Sequence, residues 1–496
     1  MPPSLALLIW FIVLVALLSF DPAKDSGVSP ALWVPLTWMV IMGSRLPSQW
    51  FGLQVGTAAQ ALEEGNGLDR TVFLVLIVLA IGILNSRSFK WGNFFAHNIA
   101  LTAFLCFGLV SVVWSDFPFV SFKKWFRDLG NYLVILVVLF DPRPLEALRT
   151  LVRRLCYLLI PLSIVLIKYY PQIGRGYDEW TGAPVYSGVE TSKYMLGTIC
   201  LISGIFFFWD TVTRWSDRSE RRTKSIIVVN VAFIAMTLWL LQMANAATCR
   251  VCLVLGCMVV AAAHTRAVRR RPGPLKFLIP LGVCLSLFLV FGIDIKASIA
   301  SAVGRDPTFT DRTLLWSYLV KTNTNPVVGT GYESFWLGPR LEESWANFAF
   351  RPNQAHNGYL EVYLNLGLIG LFLVVLFLIA SYRTICRRLD SQSSHASLFL
   401  ALWTVLIIYN ITTSDFGKSE LMWLTFLLGA IVVPARAEGP GRVWPHSKVQ
   451  VPPHDSQAWC RNAGPRDENA PSQPRAGISS SNTPSISTRN HEHRSY

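Results

Sequence analysis

Residues 304–380 read GRDPTFTDRTLLWSYLVKTNTNPVVGTGYESFWLGPRLEESWANFAFRPNQAHNGYLEVYLNLGLIGLFLVVLFLIA. The stretch changes character at 359. From there to 380 it is an apolar run of the length a bilayer-spanning helix needs, about 20 residues. Before it, 304–358 is polar, rich in Gly, Arg and Trp, and forms the longest interval between apolar runs in the chain. In a membrane protein such an interval is where chemistry on water-soluble groups can take place.

Outward from this stretch, apolar runs dominate. The chain has 496 residues, 52% of them hydrophobic and only 15% charged, with a mean hydropathy of +0.41. That balance excludes an ordinary soluble globule and predicts an all-α polytopic membrane protein. Predicted spans are 4–20, 31–43, 71–85, 97–114, 131–140, 154–170, 194–209, 225–243, 249–263, 277–296, 359–380, 396–413 and 419–434. The run at 31–43 is short and reads either as a crossing or as a re-entrant segment, so 12 or 13 spans are expected. The first run lacks a basic leader and an A-x-A cleavage site and is read as a span, not a signal peptide.

The net charge of +14 does not point to nucleic acid. The Lys and Arg sit mostly in short patches between apolar runs, at 143–154, 214–224, 266–276 and 383–388. These fall on one side if the spans from 154 onward alternate, and that side is the cytoplasm. The other side then holds 115–130, 171–193, 244–248 and 297–358. The resulting organisation is a transmembrane bundle over 1–296, a large periplasmic loop over 297–358, further transmembrane helices over 359–434, and a polar tail over 435–496 that is expected to be disordered and cytoplasmic. Cys249 and Cys252 form a CxxC with no second pair and no nearby His, so buried apolar cysteines are expected there, not zinc. The chain shows no phosphate-binding GxxxxGK[ST] and no GxGxxG after a strand, which leaves an ATP-driven pump or a dinucleotide enzyme without support.

The non-cytoplasmic side carries cations that the positive-inside rule does not explain: Lys123, Lys124, Arg127, Lys168, Arg175, Arg250, Arg305 and Arg312. Binding of anionic groups such as phosphates is one account. Pairing with Asp116, Asp128, Asp306 and Asp311 is the competing one. Within 304–323, Pro307 keeps a helix from running through 304–310, Thr310 or Asp311 is a good N-cap, and RTLLWSYLVKTN reads as a helix. Leu314, Leu315, Tyr318 and Leu319 share one face, as in a helix lying on the membrane surface. Its N-terminus with Arg305 and Arg312 makes a candidate diphosphate cradle. His356 stands just before the span at 359. It can take or give a proton near neutral pH. Glu361, five residues on, is a candidate to orient the imidazole, or else an interfacial acid held by hydrogen bonds. Gly367 and Gly370 let another helix approach closely. Trp316, Trp336 and Trp345 are candidates to stack on sugar rings, or simple interfacial anchors.

These residues resemble the O-antigen ligase family of polytopic membrane proteins, also called the Wzy-type polymerase and ligase superfamily. The family hallmark H-[NSQ]-x9-G-x-x-G is met by His356, Asn357, Gly367 and Gly370. The run GRDPTFTDRTLLW resembles the family's GRD-x-T-x-x-GRT-x-x-W at Gly304, Arg305, Asp306, Thr308, Thr310, Arg312, Thr313 and Trp316, with Asp311 in place of the usual Gly. NPVVGTGYESFW resembles a third family motif at Pro326, Gly329, Gly331, Tyr332, Phe335 and Trp336. WSDFPFVSFKKWFRDLGN and IPLSIVLIKYYPQIGRGY resemble the exopolysaccharide polymerase branch. Near 250 the chain reads N-A-A-T-C-R where many members have an S-R-T-like run, and Tyr194 stands where an Asn often follows the Lys.

The resemblance implies a GT-C-like glycosyltransferase. Its expected partners are an undecaprenyl-diphosphate-linked oligosaccharide as donor, a growing glycan as acceptor, the lipid bilayer of the inner membrane, and other polysaccharide assembly proteins. Neither metal nor cofactor is expected. Carried over by position, His356 is the base, with Glu361 beside it, and Arg305 and Arg312 hold the diphosphate. Lys123, Lys124, Arg127, Arg175, Arg250 and Asn357 complete the expected substrate-binding set. Polymerisation of repeat units is the favoured reading. Transfer of glycan to lipid A core or another acceptor is the alternative within the family. A transporter or flippase of lipid-linked sugars is the rival from another class, and it would place its distinctive charges at mid-membrane, not at one surface.

Overall fold

A computed structural model of the chain describes residues 1–20, 27–53, 58–87, 89–177, 182–292, 310–322 and 324–433. Arg305, with the first part of the GRD motif, lies outside the described residues, and so does the tail predicted over 435–496.

The main elements in chain order are α1 (Pro3–Ser19), α2 (Trp33–Met42), α3 (Gly67–Ser86), α4 (Trp91–His97), α5 (Ile99–Val110), α6 (Pro118–Leu139), α7 (Pro144–Tyr169), strands β1 (Arg175–Tyr177) and β2 (Pro184–Tyr186), α8 (Lys193–Arg214), α9 (Arg221–Ala244) and α10 (Ala247–His264). They continue with α11 (Gly273–Gly292), α12 (Thr310–Lys321), α13 (Gly338–Asn347), α14 (Gly358–Asp390), α15 (Ala396–Tyr409) and α16 (Leu421–Ala430). Among the described residues each predicted span overlaps a helix; 293–296 and 434 lie outside them. Among the described residues six helices (α3, α7, α8, α9, α10 and α14) are long and apolar enough to cross a membrane, and residues 91–114 add a pair bent by 101°. The protein is a mostly helical, multi-pass membrane protein. The one antiparallel hairpin among the described residues, with Arg175 opposite Tyr186, is a small exception to the all-α expectation.

Contacts sort the helix ends into two sets. At one end, Arg153 and Arg214 both pair with Asp210, at 2.6 and 3.0 Å, Arg87 pairs with Asp141 at 3.2 Å, and Lys276 pairs with Asp390. This is the basic end. At the opposite end Arg340 pairs with Asp116 at 2.6 Å, and Lys418 reaches Glu333 at 3.1 Å. The segment 31–43, left open by the sequence, runs between the two. The Ser29 N–H donates to Asp141 at 3.3 Å. At its far end Arg45 Nη2 donates to the carbonyls of Ile173 and Glu190, at 2.6 and 3.0 Å.

The predicted span at 131–140 is the C-terminal part of a longer helix. The sequence hides this because the first half of α6 carries Lys123, Lys124, Arg127 and Asp128, which lower its hydropathy. Its second half, Tyr132–Leu139, is buried on all sides, so it packs on protein and not on lipid.

The defining break lies in α14. Gly367 has φ 63° and ψ −163°, a region open essentially only to glycine. The broken helix frees backbone groups that cannot be left unpaired in an apolar setting. The NPVVGTG loop takes them. The N–H groups of Leu368 and Ile369 donate to the carbonyls of Pro326 and Val327 at 2.9 and 3.1 Å, and those of Thr330 and Gly331 donate to Leu364 and Asn365 at 3.1 and 2.8 Å. The close approach expected at Gly367 is therefore made by this loop and not by a second helix. A Cβ at Gly367 would run into the Val327 carbonyl.

Above the break sits a second, small core of Leu315, Leu319, Phe335, Trp336, Leu341, Ala355 and Leu364. The expected surface helix is observed as α12, but its packing differs. Leu315 and Leu319 point into this small core, while Leu314 is 60% exposed.

Gly367→Ala is expected to destabilise the protein by about 3 kcal/mol or more, through left-handed strain and the Val327 clash. Gly282→Ala, where an added Cβ meets nothing, serves as control. Thermal unfolding in detergent should show a lowered midpoint for the first and none for the second.

Candidate active site

His356 lies at the non-basic end, half-buried, one residue before the N-cap of α14 is complete. Its φ is +50°, unfavourable for a residue with a Cβ, and its neighbours hold it there. The Ala355 N–H donates to Glu361 Oε2 at 2.7 Å. The Ala355 carbonyl accepts from the Trp316 indole at 2.8 Å. The Asn357 N–H donates to Ser414 Oγ at 3.1 Å, and Asn357 Oδ1 caps α14 by accepting from the N–H groups of Tyr359 and Leu360. The Gly358 N–H donates to the Asn410 carbonyl at 2.8 Å.

Glu361 is the node of this arrangement. It is buried, at 2% exposure. Besides the Ala355 N–H, it accepts from Trp336 Nε1 at 3.0 and 3.2 Å, Lys418 Nζ at 2.9 Å and Asn365 Nδ2 at 3.3 Å. Its oxygens are thus spent on backbone, indole, amide and ammonium, and the imidazole receives none of these bonds. The expected role of orienting the ring is corrected: Glu361 positions the backbone beside the ring. The five-residue spacing explains why, since it does not stack two side chains on one helix face.

Lys418 shares itself between Glu361 and Glu333. Burial alone would lower its pKa, but the two carboxylates outweigh that and raise it. Glu333 would likewise be raised by burial, but Lys418 and Lys124 outweigh it and hold its pKa low. Lys418 and Glu333 are therefore both charged. Asp415 and Glu420, on the same loop as Lys418, have raised pKa values, first through burial. Arg312, in the first turn of α12, donates to the Thr412 carbonyl at 3.2 Å and lies over the Tyr194 ring at 5.9 Å. The His356 pKa is lowered to about 4 by burial, then by Arg312 and Lys418. The ring is neutral at pH 7 and can accept a proton.

The other expected residues separate. Lys124 donates to the Glu333 carbonyl at 3.1 Å and belongs to the cluster. Lys123 is turned to the carbonyls of Glu63 and Glu64. Arg127 pairs with Asp128 at 3.1 Å, so the competing account of ion pairing holds there. Arg175 donates to the Ile167 carbonyl and stacks on Tyr186. Arg250 donates to Asn245 Oδ1 at 2.6 Å. Asn357 is spent as a helix cap. Trp316, Trp336 and Trp345 use their indole N–H groups to hold Ala355, Glu361 and Pro352, which makes them braces of the loop. Sequence reading missed Lys418, Glu333 and Asp415. The run DFGKSE at 415–420 is short, carries no motif, and joins the site only through the return of α15.

Residues 189–375 match the O-antigen ligase family. Over 373 residues the chain is 23% identical to the exopolysaccharide production protein ExoQ of Rhizobium meliloti (strain 1021), covering 71% of this chain and 81% of that protein. The resemblance read from the motifs is borne out.

The lowered His356 pKa fixes a sign. Between about 6.5 and 4 the unfolded chain binds a proton that the folded chain refuses, so His356 lowers stability as pH falls through that window and has no such effect above it. His356→Gln should remove about 1–2 kcal/mol of this acid loss, after discounting for a half-exposed ring. Denaturation followed by tryptophan fluorescence at pH 7 and pH 4 checks it; an unchanged difference between the two would mean the ring is not held neutral.

Proposed function

We propose, taking as premise that this multi-pass membrane protein carries an O-antigen ligase domain over 189–375, that it is an inverting glycosyltransferase. It polymerises undecaprenyl-diphosphate-linked repeat units into exopolysaccharide at the periplasmic face of the inner membrane. One observation carries the reading: the half-buried His356 imidazole lies within electrostatic reach of the two cations Arg312 and Lys418, at the end of the bundle away from the basic loops.

Chemically, the imidazole of His356 takes the proton of the acceptor hydroxyl as its oxygen attacks the anomeric carbon. The bond to the diphosphate breaks on the opposite side, and the leaving group departs with the electron pair. Arg312 stabilises that developing charge, together with Arg305 if the resemblance carries over, more strongly in the transition state than before it. A bound diphosphate also offsets the cations that depress His356. Its pKa then rises toward the ordinary value, and the base strengthens when the donor is in place.

The name of the Rhizobium relative, an exopolysaccharide production protein, supports a role in making exopolysaccharide, and the resemblance of 111–131 and 161–177 to the polymerase branch favours polymerisation. The family description supports the second reading, ligation of the glycan to another acceptor, which uses the same residues. Clustering of the distinctive charges at one end supports an enzyme over a transporter.

Reconstituted with a defined undecaprenyl-diphosphate oligosaccharide, the protein should give a polymer ladder. A single transfer to an added acceptor would favour ligation, and no product would sink both. His356→Gln and Arg312→Gln should each cost about 10²–10⁴-fold in rate with unchanged expression, and cells carrying them should accumulate single repeat units on the outer leaflet. Accumulation on the inner leaflet would indicate a flippase.

A further inference from the structure

The connection between α15 and α16, residues 410–420, lies outside the matched domain, yet it touches each part of the site. The Asn410 carbonyl holds the Gly358 N–H, Thr412 holds Arg312, and Ser414 holds the Asn357 N–H. The Gly417 carbonyl accepts from the Tyr332 hydroxyl at 3.3 Å, and Ser419 donates to Asp128 at 2.6 Å. Lys418 stands at its centre, bonded to Glu361 at 2.9 Å and to Glu333 at 3.1 Å.

We propose that Lys418 is the positioning residue of this site: its ammonium, bonded to both Glu361 and Glu333, holds the Glu361 carboxylate aimed at the Ala355 N–H and through that bond fixes the backbone that carries His356. The inference rests on the reading of His356 as base.

The physical case is one of replacement. Without the ammonium, Glu333 and Glu361 are two carboxylates gathered at one point, and such a pair relieves itself by protonation or by moving apart. Either outcome weakens the bond to Ala355, whose neighbour is held at an unfavourable φ. The glutamates come from different elements, the loop after the NPVVGTG run and the first turns of α14, so Lys418 also ties these together. The charged groups that act on the imidazole are Arg312 from α12 and Lys418 from the connection; Lys418 is in turn bonded to Glu361 of α14 and Glu333 of the inserted loop, and shares its connection with Asp415 and Glu420. Lys124, Arg127 and Asp128 of α6 lie beyond. An arginine at 418 would keep the charge and both partners; a methionine would keep only the stem.

The test is the pH–rate profile of reconstituted full-length protein with the lipid-linked oligosaccharide. Lys418→Met is expected to lower kcat by about 10²-fold with little change in KM, as misplacement of a reacting group does. Its acid limb should move to higher pH, because one of two cations is gone. Lys418→Arg should keep the wild-type limb and at least about a tenth of kcat. A merely structural role would reduce the amount of folded protein without moving the limb. Should Lys418→Met fail to accumulate, the double variant with Glu333→Gln removes one carboxylate along with the cation and carries the same measurement. Wild-type kcat in Lys418→Met, lost activity with an unmoved limb, or a shifted limb in Lys418→Arg would each overturn the proposal. His356→Gln separates the two levels: if that variant stays active, the parent reading fails; if it is inactive while the limb is unmoved in Lys418→Met, only the role of Lys418 fails.

Discussion

A buried carboxylate in a membrane protein must be matched, and the match for Glu361 organises the rest of this site. Isolated in an apolar medium, its charge would cost several kcal/mol even after relaxation. Here it is met by an ammonium, an indole N–H, an amide and a backbone N–H. Three of those donors come from separate stretches of chain outside α14. Satisfying one anion therefore fixes the inserted loop, the segment before α14 and the α15–α16 connection relative to one another. Removing any partner leaves a charge behind, so the arrangement resists partial disassembly.

The break at Gly367 is the matching event in the backbone. A helix that stops and restarts inside a membrane exposes polar groups, and the NPVVGTG loop supplies their complements. The loop is thereby drawn down into the bundle. It carries Glu333, Phe335 and Trp336 with it, and the two aromatics join the small core on which α12 packs. The strained glycine thus serves the site indirectly, by admitting the chain that builds it.

Electrostatics then decide what the site can do. The cations nearest the imidazole are held by carbonyls and carboxylates, and burial first, then the charge of Arg312 and Lys418, lowers the His356 pKa. A base kept free of protons and cations kept near it suit a reaction in which a hydroxyl loses a proton while an anion departs. Arg127 offers a contrast: paired with Asp128, it is turned to structure, as are Arg175 and Arg250.

Much of this was legible in the chain itself. Hydropathy alone marks the helices, because spanning a bilayer imposes a length and a composition on each segment. The three motifs between 304 and 370 and the histidine ahead of a span mark the segment on which the proposed chemistry rests. What the chain could not reveal was partnership. Glu361 reads equally well as a ring-orienting acid or a structural one, and only the positions of Trp336, Ala355 and Lys418 decide between them. Lys418 stands 57 residues from Glu361, in a run with no pattern of its own, and it meets the site because α15 returns the chain to that end of the bundle. Periodicity and composition are local properties, whereas the compensation of a buried charge depends on which groups the folded chain brings within about 3 Å of it.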